Sequence, residues 1–328
     1  MSTGLAYQRQ LEFYPVAGAI SKASATATGK AKPFVKWVGG KSQLIPALSA
    51  RMPEDLEERM TTYIEPFIGG GAFFFWLVAH GRRFRRVVIN DANPALVNAY
   101  QVIRDQPGEL INLLQTLKKE YMSLEDEEAR KAYYYTKREM FNSGRDTSLE
   151  HAAHLIFLNR TCFNGLYRVN SKGHFNVPHG RYANPLVCDP ETIRADAQAL
   201  ANVEIHCGDF ADVLKYADNR SFVYFDPPYR PLSETSSFCS YCEGGFDDKE
   251  QRRLADCCRL LDAKGARWLL SNSDPKGVCP DDDFFERLYQ GFHIHSVQAS
   301  RMLNSNPNKR GKLSELLISN YPARRLDD

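Results

Sequence analysis

A chain of 328 residues is longer than one small core requires, so one large or two unequal domains are expected. Hydrophobic residues at 43% and charged residues at 25% fit an ordinary globular protein and exclude disordered or collagen-like classes. The net charge of +2 does not announce a nucleic-acid partner, so local patches matter more than the total. No apolar run approaches the ~20 residues of a membrane span.

The first thirty residues, ending SKASATATGK, are small and polar and read as a loose extension over 1–31 with no export signal. FVKWVGGKSQL (34–44) follows, and its Gly40-Lys41-Ser42 is the tail of a phosphate-binding loop. The complete loop needs a glycine five residues before Gly40; Val35 stands there, and its branched side chain resists the turn. A nucleotide triphosphatase is therefore the weakest reading.

TTYIEPF (61–67) reads as a buried strand running into Ile68-Gly69-Gly70-Gly71, and AFFFWLVAHG as an apolar helix stopped at Gly81. RRVVIND (85–91) is a second strand, and helical periodicity from Asn93 to about Leu117 breaks near Pro107-Gly108. This strand, glycine turn, helix and strand open a doubly wound α/β sheet. Helical patterns continue to about Arg160. From His151 to Cys188 the chain carries Arg160, Arg168, Lys172 and Arg181 with no Asp or Glu, crowded by Asn, Gly, Tyr, Phe and Pro. That stretch predicts hairpins and loops. Alternation resumes with VEIHCGDF (203–210), SFVYFDPPY (221–229), a helix from about Asp247 to Leu261, and ARWLLSNS (266–273). Late strands are expected near HIHSVQASR and ELLISNY. The middle therefore reads as an insertion between two halves of one sheet.

Eight cysteines and no signal peptide predict reduced thiols in a cytoplasm. Cys239-x-x-Cys242 has no second pair or His-x-x-x-His, so no metal is expected. Cys257 and Cys258 share helical spacing with Leu254 and Leu261 and are expected in the core.

The sharpest chemical signal is Asp226-Pro227-Pro228-Tyr229 at the carboxyl end of SFVYF. Two prolines fix the backbone and leave carbonyls as acceptors only, in the place where an open α/β sheet binds ligands. A planar amine uses all three features. The Asp226 carboxylate and the Pro227 carbonyl accept its two N–H bonds, and Tyr229 stacks on its ring. An exocyclic base amine is a poor nucleophile, so this is catalysis by positioning and electrostatics. Against it stands a rigid turn with an incidental acid.

Glu65-Pro66-Phe67-Ile68-Gly69-Gly70-Gly71 lets backbone approach a ligand closely. Asp91 ends the next strand about twenty residues on, the interval at which an acid commonly binds ribose hydroxyls. Asp209-Phe210 suits an adenine amine and ring, although Asp209 fits a helix N-cap equally well.

FVKWVGGKSQL, EPFIGGGAFFF, LNRTCFNGLYRVNSKGHFNVPHGRY, DPPY and RMLNSNPNKRGKLSELLISNY, in that order, resemble the Dam-type (D12 class) DNA adenine-N6 methyltransferases over about residues 32–321. The resemblance implies a Rossmann-like catalytic domain over 32–118 and 200–328, with a helical and β-hairpin target-recognition region inserted at 119–199. It implies transfer of a methyl group from S-adenosylmethionine to adenine in double-stranded DNA, within GATC, by a cytoplasmic monomer. Trp37, Lys41, Phe67, Gly69, Gly71, Asp91, Asp209, Phe210 and Asp226 are implied to hold the cofactor. Asp226, Pro227, Pro228 and Tyr229 are implied to form the catalytic pocket for the flipped adenine. Lys36, Asn164, Leu166, Arg168, Pro178 and Tyr182 match positions that touch DNA, and Arg168 suits a bidentate contact with guanine. Two positions depart from the pattern: Phe163 replaces a common Tyr, and IGGGAF replaces GxGS. Cytosine-N4 or RNA adenine methylation, or an inactive DNA-binding relative, are the alternatives. Whether a cognate restriction endonuclease acts independently alongside is left open.

Overall fold

A computed structural model of the chain describes residues 31–37, 39–231, 246–300 and 312–322. The extension before residue 31, the Cys239 and Cys242 pair and residues 301–311 of the late motif lie outside them. Seven strands form one sheet in the order β3-β2-β1-β4-β5-β7-β6. They are β1 (Thr62–Glu65), β2 (Arg86–Asp91), β3 (Val203–Cys207), β4 (Ser221–Phe225), β5 (Arg267–Ser273), β6 (His293–Ser300) and β7 (Lys312–Ser319). β1 to β5 pair in parallel, whereas β7 runs antiparallel between β5 and β6.

Ten α-helices are described: α1 (Ile45–Ser49), α2 (Leu56–Arg59), α3 (Ala72–Ala79), α4 (Pro94–Asp105), α5 (Pro107–Met122), α6 (Glu127–Ser143), α7 (Ser148–Thr161), α8 (Pro190–Leu200), α9 (Asp248–Ala263) and α10 (Phe284–Leu288). The predicted strands and helices are present, but β7 begins three residues before the ELLISNY run, and His151–Thr161, expected to open the stretch of hairpins and loops, belongs to α7. β1 stops at Glu65 because Pro66 has no N–H for the ladder. Helical periodicity breaks between α4 and α5 at Pro107, which serves as the first residue of α5.

The central parallel strands β1, β4 and β5 are buried on both faces, with side chains alternating between two cores, whereas the edge strand β3 is mostly half-buried. Tyr63, Phe222, Tyr224 and Leu269 pack on one side with α3 to α8. Ile64, Val223, Phe225 and Leu270 pack on the other with Leu254, Cys257, Cys258 and Leu261 of α9. The two cysteines are buried helix-face residues, as their spacing predicts.

From β1 the chain moves outward to β2 and β3 on one side and is flanked by β4 and β5 on the other. The order reverses between β1 and β4, so their carboxyl ends open a crevice at the switch point. α4 to α8 lie in chain order between β2 and β3, with a loop segment after α7 that is crossed by isolated antiparallel bridges at Cys162–His179 and Val169–Phe175 rather than by hairpin strands.

Candidate active site and nucleic-acid interface

β4 carries Asp226 into that crevice. Lys41, from the segment before β1, places its Nζ 2.9 Å from Asp226 Oδ1, and also donates to the Gly39 carbonyl at 2.8 Å. The same ammonium lies 4.2 Å from the centroid of the Tyr229 ring. Only 7% of the Lys41 side chain is exposed, so a charge is held in protein by a carboxylate, a carbonyl and a π face. Burial pushes the Asp226 carboxyl above its ordinary pKa, and the adjacent Lys41 charge pulls it back down.

The Asp-Pro-Pro-Tyr turn cannot tie itself down, because Pro227 and Pro228 have no N–H. Buried polar side chains do so instead. Ser271 donates to Asp226 Oδ1 at 3.0 Å, and Gln251 donates to the Pro228 carbonyl at 3.2 Å. Asn272 donates to Gln251 Oε1 at 3.1 Å and accepts from the Arg230 N–H at 3.1 Å. Tyr229 donates its hydroxyl to Glu315 Oε2 on β7 at 2.5 Å. Burial, with the carboxylates of Asp226 and Glu315, holds the Tyr229 phenol well above its usual pKa, so it remains a donor.

The glycine loop joins β1 to α3 beside this turn. Gly69 has φ +47 and Gly71 φ +71, both left-handed. A Cβ at Gly69 would lie 2.9 Å from Trp37 Cδ1, and one at Gly71 2.6 Å from the Tyr100 hydroxyl. The Gly69 N–H donates to Asp91 Oδ2 at 3.0 Å and the Asn93 N–H to Asp91 Oδ1 at 2.9 Å. Each Asp91 oxygen keeps acceptor capacity for a further donor. Burial raises the Asp91 pKa, opposed by the N–H groups of Asn93, Gly69 and Ala92.

Next to this loop, Phe67 and Phe210 stack with centroids 5.3 Å apart, and Phe246 meets Phe67 edge-on at 5.6 Å. Asp209 accepts from the Ala211 N–H at 2.8 Å, the cap geometry, and also pairs with Arg253. The Arg253 guanidinium lies 4.3 Å over the Phe210 ring.

The DNA-facing candidates gather on the segment after α7. Phe175, Val177 and His179 turn inward and are buried, while Pro178 and Arg168 face out. α5 and α6 hold the inward set. Tyr134 donates to the Val177 carbonyl at 2.8 Å, Asn142 brackets Phe175 with bonds of 2.8 and 3.0 Å, and Tyr121 lies 2.7 Å from His179 Nε2. Arg168 Nε donates to Asn176 Oδ1 at 2.7 Å, which spreads its guanidinium along the exposed face. Asn164 has φ +56, Leu166 is half-buried, and Phe163 is 52% exposed. Lys36 reaches over the half-buried Tyr182 ring, 4.9 Å from its centroid.

Two groups therefore form. Trp37, Lys41, Phe67, Gly69, Gly71, Asp91, Asp209, Phe210 and Asp226 to Tyr229 line the crevice at the carboxyl ends of β1 to β4. Lys36, Asn164, Leu166, Arg168, Pro178 and Tyr182 belong to the adjoining loop surface. Sequence reasoning missed Gln251, Ser271, Asn272, Glu315 and Phe246. The polar run Ser271-Asn272-Ser273 ending an apolar strand was the available signal, since all three are buried.

The model of the D12 class N6 adenine-specific DNA methyltransferases matches residues 37–303. The type II methyltransferase M.MjaIII of Methanocaldococcus jannaschii is 47% identical over 294 residues, covering 88% of this chain and 99% of that protein. The type II methyltransferase M1.LlaDCHI of Lactococcus lactis subsp. cremoris is 42% identical, with 88% and 95% covered. The DNA adenine methylase of Escherichia coli K12 is 32% identical over 293 residues, with 89% and 96% covered. The chain belongs to the D12 class N6 adenine-specific DNA methyltransferases, enzymes that methylate adenine N6 in DNA.

Proposed function

We propose that the enzyme takes its methyl group from S-adenosylmethionine and acts on adenine within GATC in double-stranded DNA. The observation that carries this reading is the meeting of Lys41, Asp226 and Tyr229 beside the glycine loop. The Lys41 ammonium donates to Asp226 over the Tyr229 ring, the two contacts that an adenine amine would make there.

The crevice fits the donor by three features. Asp91 keeps acceptor capacity for ribose hydroxyls, the left-handed backbone at Gly69 and Gly71 makes a tight turn that presents main-chain groups beside Trp37, and Phe67, Phe210 and Phe246 offer aromatic rings for a base. Trp37 closes the glycine loop from outside, and Lys41 supplies a cation for a carboxylate. When bound, S-adenosylmethionine supplies an electrophilic methyl group.

The chain's own residues then prepare the nucleophile. Turning adenine out of the duplex costs a few kcal/mol, and stacking on Tyr229 returns about 1–3 kcal/mol. Asp226 and the Pro227 carbonyl accept the two N6 hydrogens and stabilise positive charge as the nitrogen takes the methyl carbon from sulfur, whose bond to it breaks, and the N6 proton then shed passes to Asp226 or to water. Pro228, held by Gln251, fixes the angle of the turn. Region 119–199 presents Asn164, Leu166, Arg168, Pro178 and Tyr182 to the GATC site, with Lys36 at its flank, while 32–118 and 200–328 bind the donor and carry out transfer.

Purified enzyme with S-adenosylmethionine should protect plasmid GATC sites from an endonuclease that cuts only unmethylated GATC. Full cutting, with methyl label incorporated elsewhere, would refute the sequence assignment. Arg168→Ala should lower the preference for GATC over single-base variants by about ten- to a hundred-fold, for loss of one bidentate base contact. A uniform loss across all sequences would make Arg168 a phosphate contact instead.

A further inference from the structure

Asn159, near the end of α7, belongs to neither group of candidate residues, yet its carboxamide lies between them. Its Oδ1 accepts from the Lys36 N–H at 2.7 Å. Its Nδ2 donates to the Lys36 carbonyl at 2.8 Å and to the Gly165 carbonyl at 3.0 Å. An Asn amide has two donor hydrogens and one acceptor oxygen, and here all three groups are engaged. The side chain is 1% exposed, so water cannot replace these bonds. Residue 36 is gripped on both sides of its Cα, as a strand partner would grip it, and the same amide holds Gly165.

Packing ties the same two segments together. The Trp37 ring stacks on Tyr167 at 5.1 Å with 27° between planes. A Cβ at Gly165, where φ is +63, would lie 2.8 Å from Lys36 Cβ, so the Lys36 side chain lies against residue 165 only because it is glycine. Arg160, one residue beyond Asn159, donates to the Phe34 carbonyl through Nη2 at 2.6 Å and Nε at 3.1 Å. On its other side, Trp37 abuts Gly69 and Gly70, where added Cβ atoms would lie 2.9 and 3.1 Å from it.

We propose that Asn159 is a positioning residue that couples methyl-donor binding to recognition of the target sequence. A donor that orders the glycine loop against Trp37 also fixes residue 36, and through Asn159 it fixes the loop carrying Asn164, Leu166 and Arg168. The coupling is reciprocal, since linkage requires the specific duplex to tighten donor binding by the same factor. This inference rests on the reading of Trp37 as a donor contact and of residues 164–168 as DNA contacts.

The test uses the full chain, the unreactive donor analogue sinefungin, and duplexes with and without one GATC site. In the unaltered enzyme, saturating sinefungin should tighten GATC binding about tenfold, within the usual range of coupling. In Asn159→Ala that factor should fall to about one, while each ligand alone binds within a few-fold of its original affinity. A purely structural role would weaken both affinities in parallel and leave the factor unchanged, and that outcome overturns the proposal. A factor of one in the unaltered enzyme overturns it as well. If Asn159→Ala does not fold, Tyr167→Leu removes the Trp37 stack and keeps the carboxamide. It should cut the factor at least threefold, and an unchanged factor there overturns the proposal too. Failure of the unaltered enzyme to bind sinefungin or the GATC duplex would strike the proposed function instead.

Discussion

Asp226→Asn should lower kcat about a thousand-fold and leave affinity for a GATC duplex within a few-fold. The substitution keeps the shape of the side chain and removes its charge. Three features of the site make that charge matter. It accepts from Ser271 and Lys41, it sits at the end of a strand buried along its whole length, and it faces the Tyr229 ring through Lys41. An amide there can turn an N–H toward the adenine amine, which replaces an acceptor with a competing donor. Lys41 also loses its ionic partner, so the melting temperature should fall. Single-turnover methylation and duplex binding, measured on the same preparation, separate the effects. Turnover within tenfold of the original would remove Asp226 from catalysis.

The pH profile carries the same argument. Burial raises the Asp226 pKa and Lys41 opposes the rise. In the proposed mechanism the carboxylate is the acceptor, so activity is expected to be lost as pH falls through that raised pKa. The acid limb of kcat should therefore lie above the ordinary carboxylate value of about 4. In Lys41→Met the opposing charge is gone, and the limb should move higher still. A limb that stays in place in that variant would mean another group controls it.

Asp91→Ala is expected to weaken S-adenosylmethionine binding about a hundred-fold. Asp91 accepts charge-assisted hydrogen bonds from the Gly69 and Asn93 N–H groups, and bonds of that kind contribute about 1.5–3 kcal/mol each. Without the carboxylate, the Gly69 N–H loses its acceptor, with the turn held only by the Tyr100 hydroxyl on the Gly69 carbonyl and the Gly71 bond to Ile68, and any ribose contact is lost with it. Calorimetric titration of the donor checks the prediction. A dissociation constant within threefold of the original would remove Asp91 from the site. kcat at saturating donor should change much less than affinity, which distinguishes Asp91 from Asp226.

The elements and the candidate site residues were legible because each is signalled locally. β4 was readable as an apolar run, and its end as an acid before two prolines. α9 was readable from Leu254, Cys257, Cys258 and Leu261. The glycine loop and Asp91 were readable as a spaced pair. The supports around them were not, because they depend on sheet order. Nothing local says that Glu315 will meet Tyr229, since that contact exists only because β7 inserts antiparallel beside β5. Ser271 and Gln251 likewise reach the proline turn through pairings between distant segments. Asp209 was ambiguous for a different reason: an acid at a strand end fits a base amine and a helix N-cap alike, and the structure shows the cap contact with Ala211 plus an arginine partner that no local pattern predicted.

The placement of β7 has a consequence for synthesis. β7 follows β6 in the chain but lies inside it in the sheet, between β6 and β5. A nascent chain that has emerged only as far as β6 holds a strand with no neighbour and a β5 with one bare edge. Tyr229 is then present without the carboxylate that receives its hydroxyl. The sheet closes, and Tyr229 gains that bond, only after Ser319 has cleared the ribosome.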